Sequence, residues 1–288
     1  MKKMAISGSR GFIGSHLRTH FEAKGWTLVE LQRNELYGDP AALAQKITGC
    51  EALIHLSGAP IIQRWTRKNR KRILDSRILT TANLAKAIER METPPAVWLN
   101  ASAVGLYPVW GEHSEGSMEV DNGFLGDVVS RWEAEAERAE KRTRLLLMRY
   151  GVVLGRDGGA LPRLVRLFRL GLGGRLGSGK QPFPWIDIDD LVEGVHFLME
   201  SEKLSGPFNF TAPELVDNRA FTRTLAAVLK RPAFLPVPAF ALRLLYGKAA
   251  DTLLQGQKVI PLRLKEAGFS YRYPTLRESL ASKTGSEK

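Results

Sequence analysis

The sequence predicts an α/β fold: a doubly wound parallel sheet with a smaller C-terminal lobe. Three observations predict it. A glycine-rich turn, Gly8 to Gly14, follows a short apolar start near the beginning of the chain. Apolar runs of strand length then alternate with segments of helical periodicity as far as about residue 150. The connections between these segments are short, as parallel β-α-β units with right-handed crossovers require.

Each element has its own signal. Phe12, Ile13, Leu17 and Phe21 recur near helical spacing, and Gly25 stops that helix. Residues 26–31 read as a strand, 41–48 as a helix and 52–56 as a compact buried strand. A long helix is expected over about 66–91, a strand over 97–101, a helix over about 127–142 and a strand over 145–150. After about residue 155 the rhythm loosens. Gly and Pro crowd 155–184, which reads as a loop or lobe over the sheet. A helix starts near Asp189-Asp190-Leu191, another covers 218–230, and 231–238 is extended and broken by proline. The last fifty residues read as helical, then basic, and 282–288 are expected to fray.

The 288 residues are 44% hydrophobic and 25% charged, an ordinary globular composition that excludes collagen-like chains and long disorder. Cys50 is the one cysteine, so no intrachain disulfide forms, and no Cys/His cluster has zinc-site spacing; no metal site is expected. This fits a reducing, cytoplasmic compartment. No apolar run approaches the ~20 residues of a membrane helix, and Ser7-Gly8-Ser9-Arg10-Gly11 interrupts any secretory apolar region. Lys and Arg number 42 against 30 Asp and Glu, a net charge of +12. Such an excess suits nucleic acid, an acidic membrane or a phosphate-bearing ligand. Zinc-finger, RNA-sheet and basic dimer-helix motifs are lacking, and the aromatics are not interleaved with the basic clusters, so no dedicated nucleic-acid binding is expected. The expectation is a small-molecule ligand and a monomer or homodimer.

The first chemical signal is Gly8-Ser9-Arg10-Gly11-Phe12-Ile13-Gly14. Glycines allow a tight turn and close backbone approach, so a pyrophosphate can sit on the N-terminus of the following helix. The end of the second strand reports the cofactor. An acid there accepts the ribose 2′-hydroxyl of NAD, whereas an arginine pairs with the 2′-phosphate of NADP. That position carries Gln32-Arg33, with Arg10 in the glycine loop, which favours NADP over NAD. Glu30 or Glu35 could also reach the ribose, and Arg33 could be a solvated charge.

Three further stretches complete a recognisable set: His55-Leu56-Ser57-Gly58-Ala59-Pro60, Ala101-Ser102-Ala103-Val104-Gly105-Leu106-Tyr107 and Trp185-Ile186-Asp187-Ile188-Asp189-Asp190-Leu191-Val192. The chain resembles the NAD(P)-dependent epimerase/dehydratase branch of the short-chain dehydrogenase/reductase superfamily, and more narrowly the atypical YfcH-type epimerase family. Residues 231–288 are similar to that subgroup's small C-terminal module, by Glu266-Ala267-Gly268-Phe269 and Tyr273-Pro274 among others. The resemblance implies a Rossmann-like NAD(P)-binding domain over 1–230, with a substrate-lobe insertion near 156–184, followed by the module over 231–288. It implies cofactor contacts from Gly8, Ser9, Arg10, Gly11, Phe12, Ile13 and Gly14, from Arg33, from the backbone of Leu56, Ser57 and Gly58, and from Arg77 and Ser102. Asp39 would sit near the adenine, or be a turn acid before Pro40.

Members of the superfamily typically use a Ser or Thr with a Tyr-x-x-x-Lys pair, the Tyr as acid/base. Ser102 matches the serine, at a strand end where the nicotinamide is expected, although Ala103 takes its place if the register shifts by one. The expected Tyr-x-x-x-Lys region, 126–133, holds neither Tyr nor Lys. One register puts Asp127 at the Tyr position and Arg131 at the Lys position. Arg131 can bind a ribose or phosphate but cannot be a base at neutral pH, and Asp127 accepts a proton only if burial raises its pKa. Tyr107 is a second proton-transfer candidate, or a packed aromatic with one hydrogen bond. Arg77 or Trp65 is expected to line the ligand cleft, His55 to be a core histidine, and Asp187 to be an acid near a helix start. Gly177-Ser178-Gly179-Lys180 is either a second anion loop or a mobile loop. The sequence points to an NADP-dependent oxidoreductase or epimerase for a small polar or anionic, nucleotide-sugar-like substrate. The alternative is an NADP-binding regulator or scaffold without turnover.

Overall fold

In the computed structural model, residues 2–285 are described. The strands at 52–55, 97–103 and 144–150 are buried along nearly their whole length, which is why they appear in the sequence as apolar runs, whereas the edge strand at 27–31 is buried only at Leu31. The chain starts with β1 (Lys3–Ser7), α1 (Phe12–Ala23), β2 (Thr27–Leu31), α2 (Arg33–Leu36), α3 (Pro40–Ile47) and β3 (Ala52–His55). Next come α4 (Arg67–Arg90), β4 (Val97–Ala103), β5 (Glu112–His113), α5 (Phe124–Glu137), β6 (Arg144–Tyr150) and β7 (Val152–Leu154). Then follow α6 (Leu161–Arg169), β8 (Trp185–Asp187), α7 (Ile188–Glu200), β9 (Gly206–Phe210) and α8 (Asn218–Leu229). The last elements are α9 (Ala239–Tyr246), α10 (Asp251–Leu254), β10 (Lys258–Val259), α11 (Leu262–Glu266) and α12 (Leu276–Thr284).

Helix starts follow their caps. Asp39 caps α3, with Pro40 in the first turn, where its missing N–H costs nothing. Thr66 caps α4, Asp217 caps α8, and Thr275 with Glu278 forms a capping box on α12.

Six strands form one parallel sheet in the order β2-β1-β3-β4-β6-β9. Side chains alternate between its faces with period two. Met4, Ile6, Ile54 and Leu99 pack against Leu17 and Phe21 of α1 and Leu191, Val195 and Leu198 of α7. Ala5, Leu53, Trp98 and Leu147 pack against Leu43 of α3, Leu84 and Ile88 of α4 and Ala136 of α5. Both faces are thus covered, as in doubly wound folds. The strand order reverses direction between β1 and β3, so their carboxyl ends open the crevice where such sheets take ligands.

A smaller core joins Leu154, Leu161, Phe168, Trp185, Phe221 and Leu225 to Leu276 and Leu280 of α12. It crosses the expected boundary between residues 230 and 231. Four expectations are corrected. The segment 155–184 contains α6 and leads into β8; Pro162 lies in the first turn of α6, where a helix tolerates it. The helix expected over 127–142 runs from Phe124 to Glu137, because Gly123 and Gly126 fold the chain tightly over Asp121. The short α2, closed by a capping box between Gln32 and Glu35, was not expected. Residues 282–284 do not fray: they belong to α12, and Lys283 is held 3.1 Å from Asp187; 286–288 lie outside the described residues.

Candidate functional site

Gly8 begins the turn after β1 with φ +72, a left-handed conformation that disfavours any side chain. Gly14 packs so closely that a Cβ would stand 2.1 Å from the Gly8 carbonyl oxygen. Gly11 forms the N-cap of α1, without a side-chain cap and with no acid in the first turn. The first-turn N–H groups and the helix dipole are therefore left to an anion from outside the chain. Ser9 is buried, Phe12 and Ile13 begin α1, and Phe12 lies against Gly155, Gly158 and Gly159. The second loop of the set is adjacent: the Leu56 N–H donates to Ser7 Oγ at 3.1 Å, and Leu56 and Ser57 backbone adjoin Gly8. Gly58 lies against the Arg77 guanidinium, where a Cβ would be 3.0 Å from Cζ.

Arg77 leads from this crevice into a cleft of about 730 Å³. Trp65, Arg70, Ser102, Phe124, Trp132 and Tyr150 help to line it. Arg77 Nη1 donates to the carbonyls of Ala59 and Ile73, each at 3.1 Å, and the guanidinium lies 5.2 Å from the Trp132 ring. Among the described residues no carboxylate pairs with it, and burial pushes its pKa down to about 10. Such a cation favours an anionic ligand. Below it, His55 is a satisfied core histidine, 2.6 Å from Ser7 Oγ and 3.2 Å from Thr80 Oγ1. Burial, then the Arg77 charge, pushes His55 down to about 3.

Parallel pairing of β4 with β6 sets Ser102 beside Arg149, and α5 lays Glu133 over both. The Ser102 hydroxyl donates to Glu133 Oε1. Arg149 grips the same carboxylate with two bonds, Nε to Oε1 at 2.8 Å and Nη2 to Oε2 at 2.7 Å. Burial opposes the Arg149 charge, but Glu133 outweighs it and raises the Arg149 pKa. Arg149 Nη1 also donates to the Tyr107 hydroxyl at 2.7 Å, which donates to Asn209 Oδ1 at 2.8 Å. Tyr107 is fully buried and stacked on His113, its pKa raised chiefly by burial. It belongs to this network beneath the cleft and does not line the cleft. Asp127 and Arg131 form an i,i+4 pair at 3.7 Å on the exposed face of α5, and their side chains are about half exposed. Val128, Val129 and Trp132 face the cleft instead. Sequence reasoning missed Glu133; shifting the Tyr-x-x-x-Lys register by two residues, to Val129 and Glu133, is the signal that finds it. It also missed Tyr150, which lines the cleft with its hydroxyl donating to Met148 Sδ at 3.2 Å; burial raises its pKa.

At the end of β2, Glu30 is 3.6 Å from both Arg10 and Arg18, and Glu35 binds Lys46 and its own helix cap. Arg33, with Tyr37, lines a cavity of about 430 Å³ that Lys68, Lys71 and Arg72 of α4 also enter, with Asp75 the one acid. All four cations are exposed; Lys71 pairs with Asp75, and Arg72 donates to Gln63 Oε1. Asp39 caps α3 through a 3.0 Å bond from the Ala41 N–H and faces Arg90 at 3.9 Å. In the segment 177–180, backbone N–H groups are already engaged: Gly177 donates to Val237, Gly179 to Leu176 and Lys180 to Ser178 Oγ, which leaves a poor anion nest. Asp187 caps α7 and binds Ser279 and Lys283.

Among the described residues, no helix is long and apolar enough to cross a membrane. Residues 4–210 match the NAD dependent epimerase/dehydratase family, and residues 237–282 match a domain of unknown function, DUF1731. The chain is 37% identical to the epimerase family protein SDR39U1 of Mus musculus, over 96% of this chain and 98% of that protein. It is 36% identical to the chloroplastic SDR39U1 homolog of Arabidopsis thaliana, over 96% and 85%. The human epimerase family protein SDR39U1, solved with NADPH, superposes with a TM-score of 0.92 at 36% identity, covering 98% of this chain and 99% of that one. UDP-glucuronic acid 4-epimerase of Bacillus cereus, at 16% identity and a TM-score of 0.79 over 98% and 97%, shares the fold.

Proposed function

The chain belongs to the NAD dependent epimerase/dehydratase family, and from that premise we propose that it is an NADP-dependent oxidoreductase or epimerase for a small polar or anionic substrate. The observation that carries the cofactor is the junction of the uncapped α1 N-terminus with Gly8 and Gly14, whose close contacts leave no room for side chains. The residues fit a dinucleotide. Phe12 and Ile13 offer backbone N–H groups to a pyrophosphate, the Gly11 N–H being held by the Gly8 carbonyl at 2.9 Å, and Leu56, Ser57 and Gly58 border the same crevice. Arg33, Lys68, Lys71 and Arg72 suit a 2′-phosphate. With Glu30 and Glu35 both held by cations, a free ribose 2′-hydroxyl has no ready acid. The human SDR39U1 structure with NADPH supports the same choice.

When bound, the nicotinamide supplies a hydride acceptor or donor. The protein's own part centres on Ser102. Its proton is committed to Glu133, so its oxygen presents lone pairs to the cleft and accepts a hydrogen bond from a substrate hydroxyl. As that hydroxyl loses its proton to Ser102 Oγ, the Ser102 proton passes to Glu133; Arg149 holds the carboxylate in place throughout. Arg77 holds the anionic part of the substrate, and Trp65, Phe124 and Trp132 exclude water. Purified protein with NADP⁺ and a panel of nucleotide sugars and hydroxy acids tests this. The expected result is cofactor reduction or epimerised product that Ser102→Ala removes.

One observation favours a second reading, an NADP-binding regulator without turnover: α5 presents Val128, Val129 and Trp132 to the cleft, none of which can transfer a proton. Tight NADPH binding with no reaction across the panel selects it.

A further inference from the structure

A separate cluster of chemistry-bearing side chains lies where α1 crosses α7. His20, near the end of α1, and Glu193 and His196 of α7 each offer one ligand atom, and among the described residues these atoms lie within 4.8 Å of one another. We propose that His20, Glu193 and His196 bind a borderline transition-metal dication of the Zn²⁺ class, clipping α1 to α7.

The donor geometry is close to what such an ion needs. His20 Nε2 and His196 Nδ1 are 2.9 Å apart, sharing one hydrogen. Tetrahedral Zn²⁺, with Zn–N bonds of about 2.0–2.1 Å, separates neighbouring donors by roughly 3.3 Å. Replacing the shared hydrogen by the metal therefore lengthens this separation by a few tenths of an ångström and turns the rings to aim their lone pairs at the ion. Glu193 Oε1 stands 3.7 Å from His20 Nδ1, the ring nitrogen on the other side from His196, and its exposed side chain swings toward Nε2 to supply the third donor, the ligand atoms lying within 4.8 Å of one another. Two imidazoles and a carboxylate select Zn²⁺-class ions over Mg²⁺ or Ca²⁺, which prefer all-oxygen sets.

The surroundings fit as well. The other nitrogen of His196, Nε2, lies 3.2 Å from Glu200 Oε1, the carboxylate–histidine pairing that fixes the tautomer and orientation of a metal-bound imidazole. The two imidazoles are 14% and 13% exposed, whereas the Glu193 and Glu200 side chains are 58% and 66% exposed. The nitrogens are thus preorganised against the core, and the carboxylates form an open rim for entry and for a water ligand. Phe21 packs edge-on against both rings, at 5.2 Å from His20 and 5.5 Å from His196. The consequence is mechanical. The N-terminus of α1 carries the glycine loop, and α7 starts at Asp187, which is tied to α12; the ion would join the cofactor helix to the smaller lobe.

The test uses the full chain stripped with EDTA. Zn²⁺ is titrated by calorimetry, and Co²⁺ by its visible d–d absorption, which reports tetrahedral coordination directly. The expected result is one ion per chain and a rise in melting temperature. His20→Gln and His196→Ala should each weaken Zn²⁺ binding at least tenfold and remove the Co²⁺ bands, while His16→Gln leaves both unchanged. Should either histidine variant fail to fold, Glu193→Gln, on the exposed rim, is expected to weaken binding and alter the Co²⁺ spectrum. Sub-stoichiometric binding, or binding that these substitutions leave unchanged, overturns the proposal.

Discussion

Ser102 and Glu133, one at the end of β4 and the other on α5, are joined by a buried hydrogen bond in which the serine hydroxyl donates to the carboxylate. Because Arg149 holds the same carboxylate with two bonds, the serine is oriented by an ion pair that is less than a tenth exposed on either side. This makes one bond of the cleft depend on the packing of three elements.

That dependence predicts unequal costs. Glu133→Ala leaves the Arg149 guanidinium buried without its counter-charge and should cost about 3–5 kcal/mol of stability. Ser102→Ala removes one hydrogen bond and should cost about 1 kcal/mol. Urea denaturation of both variants measures the difference. Equal costs would show that the pair is not the anchor of the site.

The glycine loop predicts a steric failure. Gly14→Ala sets a Cβ 2.1 Å from the Gly8 carbonyl oxygen. It should cost about 1–3 kcal/mol by overpacking and weaken NADPH binding at least tenfold. A melting curve and a fluorescence titration check the two effects. A variant with wild-type values in both would remove the close approach from the account.

His55 predicts a pH dependence. Its folded pKa, near 3, lies below the ordinary histidine value of 6.5, so the unfolded chain takes up a proton there that the folded chain refuses. Its contribution is fully present above about pH 6.5 and is lost as pH falls toward 3, with a slope of about 1.4 kcal/mol per pH unit. The comparison is between wild type and His55→Gln from pH 6 to 4, where other titrating groups, Asp190 among them, cancel in the difference. The wild type should lose stability relative to the variant as pH falls; parallel curves would contradict the assignment.

Much of the fold was legible because its signals are local. Buried parallel strands such as Ala52–His55 are plain apolar runs, and Gly8 to Gly14 is one contiguous stretch. The site was only half legible because its chemistry is assembled across the fold. Glu133 reaches Ser102 over 31 residues of sequence and Arg149 over 16. Helical periodicity fixes which residues share a face of α5, but not which face meets the sheet. Asp127 and Arg131 are therefore a sound register on paper and lie on the exposed side. Nothing in α4 itself records that Lys68, Lys71 and Arg72 stand opposite the end of β2. His20 and His196, 176 residues apart, have no sequence signal at all.

The central claim is a dinucleotide site that recognises a 2′-phosphate through Arg33 and its neighbours. Fluorescence titration of the full-length chain with NADPH and with NADH, repeated on Arg33→Asp, tests it most directly. The account predicts that NADPH binds at least tenfold tighter than NADH, and that Arg33→Asp closes the gap by weakening NADPH alone. Binding of neither cofactor, or equal affinities that Arg33→Asp leaves unchanged, would contradict it.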